Sequence, residues 1–516
     1  MNIESIIRGI GKVIKYEKLQ NGSDIRGIAI KTDEKEVNLT PDIARCIAYG
    51  FVHLLEKKSS IKRHELKVAV GMDSRLSGSY LKKAVIDGLV NLGCKVFDCS
   101  MATTPAMFMT TVLDEYNCDG SIMITASHLP YYYNGLKFFT KDGGCEKEDI
   151  KEILSMASSE EIQISEIKGE VRKANLIDDY SNVLVNMIRR GANIKDKYNK
   201  PLEGFKIVVD AGNGAGGFFA YKVLEILGAD ISGSQFTDPD GTFPNHIPNP
   251  ENNEAMNSIR NAVLANKADI GIIFDTDVDR AAIVDSGGME INRNALIALI
   301  SAIVLEEHPG SVVVTDSVTS TGLGEFIESL GGVHHRFKRG YRNVINEAIR
   351  LNKIGEKSYL AIETSGHAAL KENYFLDDGA YLIAKILIKA AKLKEEGKKI
   401  ESLISNLRMP CESYDFRIEI KDDNFREYGE KILTDLKNYV YGTDEFSLVN
   451  NNYEGVRVNY DEGNGWFLLR LSLHEPVLAL NIESDITGKT KTIISKLIPF
   501  LNQYQQLKRP ENFLVV

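Results

Sequence analysis

One pattern recurs three times along the chain: a β-branched apolar run ending in Asp, a loop of small residues, a helix-patterned stretch closed by Leu-Gly, and a second apolar run. The copies are KVAVGMDSRLSG leading to NLGCKVFDC, KIVVDAGNGAGG leading to EILGADISGSQF, and SVVVTDSVTSTGLG leading to ESLGGVHHRF. Continuous Val/Ile runs suit strands buried on both faces, and a Leu-Gly stop suits a left-handed helix end. Each copy therefore predicts a βαβ unit. Three units, each separated by more than about 100 residues, predict three related α/β domains whose strand ends carry loops to one region. After residue 409 the pattern changes to FRIEI, FLLRLSL and VLALNIES followed by a helix-like tail, which predicts a separate α+β domain.

The expected division is a first α/β domain over 1–190, a second over 191–292, a third over 293–408 and a C-terminal α+β domain over 409–516. A chain of 516 residues is long enough for about three to five cores. Thr40-Pro41-Asp42 reads as cap, first-turn proline and first-turn acid, opening a helix that runs to about Lys57. The run from Ala295 to Leu305, broken only by Ser301, is too short for a bilayer and fits a buried helix. A net charge of −10 argues against nucleic acid or an anionic membrane as partner. The six cysteines include no CxxC pair and read as reduced thiols, and the charged N-terminal segment is unlike a signal peptide, so a cytoplasmic protein is expected.

Chemistry concentrates in two short segments. ADIGIIF reads as a strand that delivers DTDVDR, with Asp275, Asp277 and Asp279 at alternate positions and Arg280 next. Extended backbone would point the three carboxylates one way. At about 5 Å and an effective dielectric of about 20, each ionised pair repels by roughly 3 kcal/mol, a term that a divalent cation reverses. Oxygen ligands favour Mg²⁺. An EF-hand does not fit, because Arg280 stands where that loop needs glycine and Ser286 where it needs glutamate. The second segment, TASHLP, sits between two apolar runs and would present Ser127 at a strand end, with His128 beside it and Lys137 brought back by an Asn134-Gly135 turn. No GxSxG elbow surrounds the serine. An accessible serine with a Mg²⁺ site is what a phosphoserine relay requires.

A competing fingerprint is present. Gly212, Gly214 and Gly217 fit GxGxxG after a strand, with Asp238 about twenty residues on, the pattern of a dinucleotide site. It leaves a NAD-dependent oxidoreductase as an alternative; equally, the glycines could permit close packing.

The chain resembles the α-D-phosphohexomutases, the phosphoglucomutase/phosphomannomutase family. NGSDIRG resembles the family's N-terminal arginine loop, VGMDSRLSG and ATTP its first-domain signatures, and TASHLP the phosphoserine loop TASHNP. DTDVDR is similar to the metal loop DGDGDR, ETSGH to the sugar loop GExSGH, and RLSLHEP to the phosphate loop RPSGTEP. The resemblance implies four domains around a central cleft. Ser127 would carry the phosphoryl group, and Asp275, Asp277 and Asp279 with a phosphoserine oxygen would hold Mg²⁺. Lys137 and His128 would assist proton movement, Arg26 and Arg280 would steady the phosphoryl group, and Glu363 and Ser365 would grip sugar hydroxyls near His367 and Lys338. Arg470, Ser472 and His474 would hold the phosphate that is not reacting. The implied reaction interconverts hexose 1-phosphate and hexose 6-phosphate of glucose or mannose through a 1,6-bisphosphate. Phosphoglucosamine mutase is an alternative within the family. Leu129, Thr276, Val278 and His474 depart from the family's pattern, and Leu129, Val278 and His474 leave a third possibility, a non-catalytic sugar-phosphate sensor.

Overall fold

The computed structural model describes residues 16–159, 164–472 and 475–514. They form two compact units: residues up to Asn292 together with Ser365–Ser402, and Arg293–Thr364 together with the chain from Leu403 onward.

Two sheets lie wholly within the first unit, which also carries the antiparallel pair Ala368–Leu370 and Leu376–Asp377. In the larger, strands run in the order Gln20–Asn21, Asp24–Ile28, Tyr133–Thr140, Gly120–Ile124, Lys67–Met72, Lys95–Met101 and Val171–Lys173. Lys67–Met72 pairs in parallel with both Lys95–Met101 and Gly120–Ile124. The helix Gly78–Asn91 connects the first two, as the sequence template predicts. Tyr133–Thr140 returns antiparallel to Gly120–Ile124. The helix Pro41–Ser59 begins where the cap signal places it: the Thr40 hydroxyl accepts from the Ile43 amide at 3.3 Å. It packs so closely on the helix Lys147–Ala157 that a Cβ on Gly50 would lie 2.2 Å from the Ile153 carbonyl oxygen. Ile47, Phe51, Val68, Val85 and Phe138 join in one apolar core between the sheet and these helices. Each such side chain contributes about 1.5–3 kcal/mol by leaving water.

The second sheet sets Ile207–Asp210 parallel to Ile270–Phe274, which pairs antiparallel with Ala281–Asp285. Here the βαβ expectation is met only in part. Short 3₁₀ and π-helical turns, Ala215–Gly217 and Phe219–Leu224, replace a full helix. The return strand shrinks to isolated bridges, Lys206 to Asp230 and Asp210 to Gln235. Its sequence, DISGSQ, explains this: the Asp230 carboxylate caps the Ser232 amide and Gly233 takes a left-handed φ of 100°, so the ladder stops.

In the second unit Val312–Thr315 lies parallel to Val333–Arg336 and to Ser358–Ile362, with the helix Thr321–Ser329 as the crossover. The apolar run near 300 forms the buried helix Asn294–Glu307. The C-terminal part is a six-stranded sheet, antiparallel throughout, whose core residues include Phe416, Phe467 and Leu480 of the sheet and Leu436 and Leu497 of the covering helices. Among the described residues no helix is long and apolar enough to cross a membrane.

Candidate active site

The serine loop and the aspartate loop meet in the first unit. Gly120–Ile124 ends where the chain turns through residues 127–132, and Ser127 takes a left-handed φ of 50°. Its amide donates to the Thr125 hydroxyl at 2.9 Å. The side chain is buried, at 3% exposure, and its Oγ donates to Asp275 Oδ2 at 3.1 Å while accepting from Arg280 Nη2 at 2.8 Å. His128 Nδ1 lies 3.2 Å from the same oxygen.

The aspartates converge, though not for the reason the spacing suggests. The backbone is not extended after Phe274; it turns through 276–279, and Val278 takes a φ of 67°. The turn, rather than strand alternation, gathers Asp275, Asp277 and Asp279 so that one oxygen from each lies within 4.8 Å of the others. All three are fully buried. Lys137 Nζ contacts Asp277 Oδ2 at 3.0 Å and also Asp279 Oδ2. The hydroxyl of Thr104, in the ATTP segment, donates to Asp277 at 2.5 Å, and its amide donates to the Asp277 carbonyl. Asp277 Oδ1 and Asp279 Oδ1 are buried without a hydrogen-bond partner among the described residues. Asp279 Oδ1 has only longer ion-pair contacts, Arg280 Nε at 3.7 Å and His367 Nε2 at 3.6 Å, and two buried carboxylate oxygens without a hydrogen bond carry a cost that a hard cation would remove. The donor set is all oxygen, so the residues fit such an ion.

Charge in this cluster is uneven. Burial pushes the Asp275 carboxyl well above its usual range and the neighbouring Asp279 adds to this, with Arg280 pulling the other way. For Asp279 burial also opposes ionisation, but Lys137, His367 and Arg280 outweigh it and hold the carboxyl below its usual range. His128 is lowered to about 2, first by burial and then by Arg280, Arg26 and His367. It is therefore neutral, and its Nδ1 accepts from Arg280 Nη2 at 2.7 Å. His367 is lowered to about 3, mainly by burial; its Nδ1 is 2.8 Å from the Ser365 hydroxyl and its Nε2 3.6 Å from Asp279. Arg26 pairs with Asp24 at 3.0 Å, and its strand position is registered against Gly135.

The Asn134-Gly135 turn is a correction. Both residues lie inside the strand Tyr133–Thr140, and the reversal comes earlier, at 127–132. Gly135 instead lets strands approach: a Cβ there would sit 2.3 Å from the Ile25 carbonyl oxygen and 2.7 Å from that of Thr125. The GNGAGG glycines are structural too. A Cβ on Gly214 would lie 2.7 Å from the Thr276 carbonyl oxygen, and one on Gly217 would lie 2.1 Å from that of Thr237. The Ala215 amide donates to the Thr276 carbonyl at 2.8 Å. Close backbone packing thus accounts for Gly214 and Gly217 without a dinucleotide, which leaves the oxidoreductase alternative without support from these glycines.

The second unit holds the other candidates. Glu363 is buried and its Oε1 accepts from the Gly340 amide at 2.5 Å. Thr364 donates to Asp316 at 2.7 Å. Lys338 is exposed, its ammonium 6.0 Å from the Phe337 ring centroid. Arg470 Nη1 lies 4.0 Å from Glu454, whose carboxylate accepts from the Arg339 amide at 3.1 Å and from the Ser317 hydroxyl. Glu363 and Arg470 are thus linked through Arg339-Gly340 and Glu454. Ser472 accepts from the Glu475 amide at 3.4 Å. His474 lies outside the described residues.

Sequence comparison adds an independent line. The chain matches the description "Phosphoglucomutase/phosphomannomutase, alpha/beta/alpha domain I" over residues 17–163, domain II over 179–288 and domain III over 292–409. The chain belongs to the phosphoglucomutase/phosphomannomutase family. The phosphomannomutase/phosphoglucomutase of Pseudomonas putida is 30% identical over 471 residues, covering 91% of this chain and 92% of that one. The phosphoglucomutase/phosphomannomutase of Thermococcus kodakarensis is 31% identical over 493 residues, 94% of this chain and 99% of the relative. Among solved structures, a family protein from Burkholderia thailandensis superposes with a TM-score of 0.79 at 26% identity, covering 96% of this chain and all of that one.

Three contributors escaped sequence reasoning: Thr104, which holds Asp277; Asn249, whose Oδ1 accepts from Arg280 Nη1 at 3.1 Å; and Arg75, taken up below. Thr104 and Arg75 lie inside segments already singled out, ATTP and VGMDSRLSG. No local pattern marks Asn249.

Proposed function

We propose that this chain is a phosphohexomutase interconverting the 1- and 6-phosphates of glucose, mannose or both. Ser127 carries the phosphoryl group and a hexose 1,6-bisphosphate is the intermediate. The observation that carries this reading is the contact of a buried serine hydroxyl with both an aspartate of the acidic cluster and an arginine, at 3.1 and 2.8 Å. Asp275, Asp277 and Asp279, with an oxygen of the phosphoserine, would hold Mg²⁺, which neutralises charge on the transferring phosphoryl oxygens.

The chain's own residues do the rest. Arg280, anchored by Asp275 and Asn249, is aimed at Oγ and steadies the phosphoryl group placed there; Arg26 adds positive charge nearby. In the forward half, the phosphoserine P–O bond breaks as a sugar hydroxyl oxygen bonds to phosphorus; the sugar hydroxyl proton passes to a base and the leaving Oγ takes up a proton to become the free hydroxyl. In the return half, Oγ takes a phosphoryl group from the other end of the bisphosphate. Its proton leaves toward Asp275 or His128, the acceptors within 3.2 Å. Of the two, Asp275, its carboxyl pushed up by burial, is the stronger base, since burial leaves His128 a weak one; Lys137 balances charge on Asp277 and Asp279. Lys338 and Glu363 of the second unit, and Ser365 and His367 of the first, would be the groups that read sugar hydroxyls. Arg470, Ser472 and His474 would grip the distal phosphate. We place the domain divisions near 190, 292 and 408, and the protein in the cytoplasm, in keeping with six free thiols.

The test is ³¹P NMR of glucose 1-phosphate or mannose 1-phosphate incubated with the enzyme, MgCl₂ and a trace of glucose 1,6-bisphosphate. The 6-phosphate signal should grow, stop on adding a chelator and resume with excess Mg²⁺. No conversion of either sugar phosphate would contradict the proposal.

A further inference from the structure

Behind the serine loop lies an arginine for which the reaction scheme above has no role. Arg75 is 2% exposed and stands in the loop that follows Lys67–Met72. Its Nη1 donates to the carbonyls of Pro130 and Tyr133 at 2.9 and 3.0 Å. Its Nη2 donates to the carbonyl of Leu129 at 2.6 Å and to that of Ser127 itself. Nε lies 3.3 Å from Asp73, which in turn accepts from the Thr125 hydroxyl at 2.7 Å and from the Arg75 amide at 2.9 Å. One guanidinium therefore gathers four carbonyls from seven consecutive residues, and its counter-ion fixes the residue that starts the turn. The Phe243 ring covers it, centroid 5.3 Å from the guanidinium carbon.

This arrangement matters for two physical reasons. Ser127 holds a left-handed φ of 50°, a conformation costing roughly 1–3 kcal/mol for a non-glycine residue unless its surroundings impose it. Four charge-assisted hydrogen bonds into the loop are enough to impose it. The loop's carbonyl oxygens are also the negative ends of peptide dipoles. With them engaged by Arg75, they do not face Oγ, where a doubly charged phosphoryl group must stand.

We propose that Arg75 is a positioning residue for phosphoryl transfer: by gathering the carbonyls of Ser127, Leu129, Pro130 and Tyr133 it holds the Ser127 hydroxyl aimed at Asp275 and Arg280. The inference rests on the reading of Ser127 as the phosphoryl carrier. Lysine cannot replace the fork, because one ammonium has three donors on a single nitrogen where the guanidinium serves four carbonyls from two. Misplacing a nucleophile by about 1 Å costs on the order of 100-fold in rate.

The experiment compares wild type, Arg75→Lys and Asp73→Asn in the glucose 1-phosphate assay with saturating bisphosphate, alongside thermal melting. For Arg75→Lys, kcat should fall about 100-fold while the KM for hexose phosphate, set by groups elsewhere, stays within about threefold. Asp73→Asn should show the same split with a smaller loss, about 5- to 10-fold. A cooperatively folded Arg75→Lys with kcat within threefold of wild type would overturn the proposal. If that variant does not fold, Asp73→Asn decides by the same criterion. Wild type that converts no sugar phosphate would remove the parent reading and this one with it; active wild type with equally active variants removes this one alone.

Discussion

Gly214→Ala isolates the support beneath the acidic loop. Gly214 has φ −81° and ψ −157°, extended backbone open to alanine, so the substitution adds no dihedral strain. What it adds is a methyl carbon 2.7 Å from the Thr276 carbonyl oxygen, 2.8 Å from its Cα and 3.1 Å from its carbonyl carbon. The shortest of these is roughly 0.7 Å inside ordinary contact, and every one of the atoms is backbone, so no rotamer change relieves it. The adjoining bond from the Ala215 amide to the same carbonyl, 2.8 Å, prevents the two segments from simply parting. Overpacking of this kind costs about 1–3 kcal/mol. Because Thr276 sits between Asp275 and Asp277, most of that cost should fall on their geometry. We expect the Mg²⁺ concentration for half-maximal activity to rise about 5- to 150-fold, the same energy expressed as a binding ratio. The assay couples glucose 6-phosphate formation to a dehydrogenase across a Mg²⁺ titration, with thermal melting to verify folding. Unchanged half-activation and a rate within twofold of wild type, in a folded variant, would refute the reasoning.

Other perturbations test separate parts. In the second unit, buried Arg457 donates to the Ser317 and Thr319 carbonyls at 2.7 and 2.9 Å and stacks 3.6 Å over Trp466. Arg457→Met should therefore cost about 3–5 kcal/mol in urea unfolding, and a loss below about 1 kcal/mol would contradict the assignment. His246 bonds Asp210 at 2.9 Å; burial opposes its charge, but the Asp210 bond and charge more than offset this and raise its pKa. A raised folded-state value means stability fully present below about pH 6.5 and lost as pH rises through that value. The melting-temperature gap between wild type and His246→Gln should thus narrow from about pH 6 to about pH 9, and a flat gap would contradict it.

How much of this was legible depended on the range of the interaction. The strands ending in Asp and the Leu-Gly stops of the first and third βαβ units are local signals, as is the Thr40 cap, and the structure follows them. The second unit failed where Ser-Gly-Ser interrupts the return strand. The convergence of Asp275, Asp277 and Asp279 was legible in identity but not in mechanism, since a left-handed Val278 is not something a β-branched residue advertises. Gly214 and Gly135 read as a nucleotide motif and a turn, because a glycine's sequence context does not reveal which distant backbone leans on it. Arg75 and Asn249 were silent for the same reason: their partners lie 52 or more and 31 residues away.

The most direct measurement is peptide mass spectrometry of the purified enzyme for phosphate on Ser127, before and after a chase with unlabelled glucose 1-phosphate. The protein is first labelled with ³²P from glucose 1,6-bisphosphate. Label should sit on the peptide containing Ser127, move to hexose phosphate on the chase, and be absent from Ser127→Ala. Label elsewhere, or label on Ser127 that sugar phosphate does not remove, would contradict the account.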